Sequence, residues 1–357
     1  MSDPASPTPA RSVRDLPANI FAVVMATGIV ALAVNAIGWP AGGRALFWIG
    51  AVAYVVLWGL TVARCVRHGS SVRADLESHA RAPGFFTLVA ATGVLGSGCV
   101  ILYDAPGIGT ALWALTILLW AGLSYTILPG LMEAEAKPEL EKGLSGVWLL
   151  AVVATQSVCV LGCLVAPHLP AGGTGPALFA ALCFWLAGGM LYLWLIALIF
   201  YRIVFRPLTP ADLAPPYWIN MGAMAISTLG GANLAAGAHG FGPLAELLPF
   251  VKGLTLMFWA TATWWLPLLV MLGVWRHVWK RYPLTYDHGY WGAVFPLGMY
   301  AVCTLRLARE FELPFLDPIG EVFAWVSLAA WAATALGLAR RLAPRRAAGR
   351  RVTGSEP

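Results

Sequence analysis

Ten apolar stretches of about 20 residues, each closed by a polar break, constrain this chain more than any other feature. A helix of that length crosses the ~30 Å hydrocarbon layer of a bilayer. Lipid offers no partner to an unpaired backbone amide, so such stretches form helices or closed barrels. Continuous runs without two-residue alternation select helices. The spans cover roughly residues 18–38, 45–66, 84–103, 108–131, 143–166, 175–205, 216–238, 251–277, 289–308 and 318–340. With 59% hydrophobic and 11% charged residues, against about 45–50% and about 25% in soluble domains, no soluble domain is expected. The expected organisation is a disordered cytoplasmic tail over 1–17, a ten-helix membrane domain over 18–340 and a basic cytoplasmic tail over 341–357.

Charge sets the orientation. Placing the N-terminus inside puts 19 of the 23 Lys and Arg residues on the cytoplasmic side, as membrane insertion favours. The chain reads as a multi-pass protein of the plasma (inner) membrane with both termini cytoplasmic, and orientation explains the net charge of +6 without any nucleic-acid partner. All 17 Asp and Glu lie in tails, loops or span ends, and the six His are peripheral. Pumps and cation-coupled carriers keep an ionisable group at mid-depth; none is present. No HExxH, GxSxG or buried carboxylate pair appears, so no enzyme and no cofactor are expected. Cys159 and Cys163 share a helix face, but no nearby histidine completes a metal site.

An internal repeat runs through the odd-numbered spans. Thr27, Thr92, Thr155, Thr228 and Thr304 recur at intervals of 65, 63, 73 and 76 residues, amid Gly, Ala and Ser. Thirteen of the 17 tryptophans lie in or at the ends of even-numbered spans. Small residues suit close helix approach and tryptophan suits the lipid interface. The expected fold class is therefore an all-α polytopic membrane protein: five helical hairpins in a pseudo-fivefold ring, odd helices inside. The same pattern is open to plain helix packing without a passage. A neutral, hydroxyl-bearing wall suits small anions, with Arg306 and Arg309 at the outer mouth. In "WGAVFPLG", Pro296 clashes with the carbonyl of Gly292 and bends the helix. Phe295, just before the bend, is a candidate gate, since an apolar ring expels water from a narrow tube. The residues alone favour the rival reading, a core phenylalanine beside a kink.

"FAVVMATGIVAL", "PPYWINMGAMAISTLGG" and "WGAVFPLGMYA", in that order, resemble the tellurite-resistance/dicarboxylate transporter family. That family takes in bacterial tellurite-resistance proteins, fungal malate and sulfite transporters and the plant guard-cell slow anion channel. The resemblance implies a homotrimer with one pore per subunit, each lined by odd helices and closed by a phenylalanine of the ninth helix. Its Trp-x-x-x-Phe stretch falls on Trp291 to Phe295. It also implies inner-wall positions at Gly28, Gly93, Thr155, Gln156, Ser227 and Thr228, which join Thr27, Thr92 and Thr304 of the repeat. The implied function is anion transport; the alternative is a proton-coupled C4-dicarboxylate carrier or a tellurite or sulfite exporter.

Overall fold

A computed structural model describes residues 13–238 and 241–342. Most of the two expected tails, and His239, lie outside the described residues. Those residues form helices and no strand. Ten long helices carry the chain: α1 (Ala22–Ala36), α2 (Pro40–Arg67), α3 (Phe86–Tyr103), α4 (Pro106–Glu133), α5 (Leu150–Val165), α6 (Thr174–Phe205), α7 (Ile219–Gly237), α8 (Leu248–Val274), α9 (Trp291–Glu310) and α10 (Asp317–Leu342).

Among the described residues, eight helices are long and apolar enough to cross a membrane; α1 and α7 are not among them. α1 has only 15 residues, and α7 carries Asn220, Ser227, Thr228 and Asn233, all buried. A helix surrounded by other helices meets protein rather than lipid, so its sequence is free of the hydropathy that lipid contact demands.

Burial separates two classes of helix. In the apolar stretch of α5, 94% of residues are buried, against 17% in α4 and 11% in α10. Trp48, Trp194, Trp264 and Trp279 stand exposed on even helices or at their ends, which suits a molecule whose outer solvent is lipid. Each odd helix packs on the even helix that follows it. Among the odd helices, α1 contacts α3 and α9, α3 contacts α5, α5 contacts α7, and α7 contacts α9. Small residues permit this closeness: a Cβ on Gly93 would lie 2.9 Å from Ser157 of α5. Tight connections hold the hairpins together. Gly38, at φ +87°, closes the turn between α1 and α2, where few other residues fit, and Pro40 then opens α2 at the position that tolerates a missing amide.

Candidate functional site

The recurring threonines are buried, and the hydroxyls of three of them are engaged twice. Thr27, Thr92 and Thr155 each donate to the carbonyl one turn back, on Val23, Leu88 and Ala151 (2.7–2.8 Å). Each also meets an aromatic of the even helix that precedes it round the molecule. Trp331 of α10 donates to Thr27 (2.9 Å), and Trp120 of α4 to Thr155 (2.8 Å). Tyr54 of α2 shares a bond with Thr92 (2.8 Å), and Trp259 of α8 donates to Thr304 (3.0 Å). On α7 the indole of Trp185 reaches the carbonyl of Ser227 instead (2.7 Å), while the Ser227 and Thr228 hydroxyls bond to Ala223 and Met224. On four of the five odd helices, the recurring threonine and an aromatic of an even helix are therefore the two halves of one recurring bond.

A cavity of about 620 Å³ lies on the opposite face of these helices. Its lining includes Ile29, Gly93, Ser157, Ile226 and Met299, one from each odd helix. Further toward the C-terminal ends of these helices it is lined by Asn35, Asn233, Arg306 and Arg309. None of the five recurring threonines lines it. Successive helical residues are about 100° apart, so a position two after an outward-facing threonine points inward. Ile29, Val94, Ser157 and Arg306 stand in that relation to Thr27, Thr92, Thr155 and Thr304. Of the expected wall, only Gly93 borders the cavity. Gly28 faces Val94 of α3. Gln156 turns toward α6 instead, donating to the Trp185 carbonyl (3.0 Å) and pressing on Gly188. Asn35, Asn233, Ser97 and Ser157 are the uncharged polar lining residues that sequence reasoning missed; the two-residue offset from the threonines finds Ser157 only once their outward direction is known.

Phe295 is fully buried. It precedes Met299, Val302 and Arg306 by four, seven and eleven residues, a spacing that keeps all four on one helix face. That face lines the cavity, so Phe295 sits one turn beneath its floor. The same spacing on α1, α3, α5 and α7 leads to Met25, Ala90, Val153 and Gly222, also buried. Phe295 contributes the only ring to this layer. Pro296, which cannot donate to Gly292, packs against α7, where a Cβ on Gly222 would lie 2.7 Å from its ring.

The rim is less basic than the sequence suggests. Arg306 donates to the Asn233 side chain (3.0 Å) and pairs with Glu310 (3.1 Å). Arg309 is exposed and has no ion pair among the described residues, but Glu312 and Asp317 line the same rim.

The family description that matches, over residues 15–339, is that of a voltage-dependent anion channel. An uncharacterised transporter of Methanocaldococcus jannaschii is 24% identical over 90% of this chain and 93% of its own length. A sulfite efflux pump of Trichophyton rubrum is 21% identical over 87% of this chain and 86% of its own. An uncharacterised membrane protein of Mycobacterium tuberculosis is 42% identical over 43% of this chain and 77% of its own.

Proposed function

Because the chain belongs to the voltage-dependent anion channel family, the one its sequence resemblance pointed to, we propose that it conducts small anions through a passage between the odd helices and that Phe295 closes this passage. Five hairpins then stand in a pseudo-fivefold ring, and the protein sits in the plasma membrane with both termini in the cytoplasm, as a homotrimer with one passage per subunit. One observation carries the reading: a cavity bordered by all five odd helices ends above a buried phenylalanine on the same face of α9. The lining contains no carboxylate below the rim residues Glu312 and Asp317, so nothing there repels an anion at depth. The hydroxyls of Ser97 and Ser157 donate to their own helices (2.9 and 2.8 Å), which leaves the amides of Asn35 and Asn233 and the two arginines as donors to an anion. Phe295→Ala is expected to raise chloride and nitrate flux into liposomes by about tenfold or more. Equal flux in the two proteins would overturn the gate.

The relatives described as sulfite efflux pumps support a second reading, export of an oxyanion such as sulfite. A proton-coupled carrier would accumulate sulfite or malate under a pH gradient alone; equilibration without accumulation rules coupling out.

A further inference from the structure

Three arginines at or just past the ends of even helices repeat one arrangement. Arg64 of α2 donates to the carbonyl of Arg14 (2.9 Å), Arg202 of α6 to that of Leu144 (2.7 Å), and Arg276, just beyond α8, to that of Leu213. Each carbonyl belongs to the segment leading into the odd helix of the same hairpin, so each arginine clips a hairpin shut. Two of the three carry a counter-charge: Asp75 lies 2.7 Å from Arg64 and Asp212 lies 3.3 Å from Arg202. Arg276 has no carboxylate partner among the described residues, although it is only 9% exposed. Its guanidinium lies 4.4 Å over the Tyr282 ring, and its Nε has no partner. Asp287, on the segment leading into α9, is bonded to the Gly289 amide (2.7 Å). A buried cation without an anion is strongly unfavourable, and the internal repeat shows what normally stands there.

A cavity of about 220 Å³ opens beside this arginine, bordered by His277, Leu213, Trp218, Leu272 and Tyr290. Leu272 also borders an apolar crevice of about 410 Å³ on α8, with Val270, Met271 and Val274. We propose that Arg276 binds the phosphate group of an anionic phospholipid, with an acyl chain lying in the crevice beyond Leu272. A planar guanidinium suits a phosphate oxyanion, and Lys280 and Arg281 add positive charge next to it in the chain. Free inorganic phosphate offers the same oxyanion, but the apolar lining and the adjoining crevice favour the lipid as its source.

The test uses delipidated full-length protein in detergent, titrated with phosphatidylglycerol, phosphatidylcholine or inorganic phosphate and read by native mass spectrometry and thermal unfolding. Two variants isolate the site. Arg276→Gln removes the charge. Gly273→Leu fills the cavity that Gly273 borders; a Cβ there meets nothing within 4 Å, so the helix and Arg276 stay in place. The wild type is expected to bind phosphatidylglycerol about tenfold tighter than phosphatidylcholine, and both variants to lose that preference. Stabilisation by inorganic phosphate as strong as by phosphatidylglycerol, and lost in both variants, would uphold the oxyanion site but overturn the lipid as its source. A wild type without preference, or Gly273→Leu retaining the full preference, overturns the proposal. Binding is the readout, so the result is independent of whether the protein conducts anions.

Discussion

A threonine inside an apolar helix has one hydroxyl, and what that hydroxyl touches decides its role. Thr155 gives its proton to the Ala151 carbonyl and takes one from Trp120, so no proton remains to donate to an anion. Trp120→Phe is expected to cost about 1 kcal/mol, the usual worth of such a bond between membrane helices, measurable by thermal unfolding in detergent. Thr155→Val, which keeps the shape, is expected to lower stability similarly and to leave anion selectivity in liposomes unchanged. A selectivity change would return Thr155 to the wall. The recurrence of these threonines was legible in the sequence. Their direction was not, because a hydroxyl serves an ion and an indole equally well.

At the scale of the element, α9 combines a gate candidate with the means to position it. Pro296 presses into the space that Gly222 leaves on α7, and Phe295 is the adjoining residue. Gly222→Val is expected to destabilise the protein by about 1–3 kcal/mol through overpacking and to change basal chloride flux, whereas the same change at Gly253, where a Cβ meets nothing within 4 Å, is expected to do neither. The segment leading into α7 has its own signature. Asp212 is held below the ordinary carboxylate range by the Thr209 hydroxyl first, then by the Thr209 amide and Arg202. A lowered carboxylate pKa stabilises the fold above the unfolded value, and that stabilisation is lost as pH falls through the folded one. Wild type and Asp212→Asn are therefore expected to differ in melting temperature at neutral pH and to converge below about pH 4.

Across the whole molecule, the balance of charge at the cavity rim tests the proposed direction of selectivity. Arg306 is neutralised by Glu310, and Glu312 and Asp317 face the same opening as Arg309. Replacing both acids with Gln and Asn is expected to raise chloride flux severalfold at low ionic strength, with the gain fading near 0.15 M salt, where the Debye length is about 8 Å. No gain at low salt would mean that anions do not enter by this rim. Span length and hydropathy are properties of consecutive residues, so the amino-acid sequence by itself determined an all-helical membrane chain and the contrast between exposed, tryptophan-bearing helices and buried, small-residue ones. Which side of an inner helix borders the cavity was decided only by tertiary structure: α5 is buried all round, so no polar stripe marks one side against another. The pairing of Arg64 and Arg202 with aspartates, and the lack of a carboxylate beside Arg276 among the described residues, belong to the same class, because they depend on segments that meet only after the chain folds.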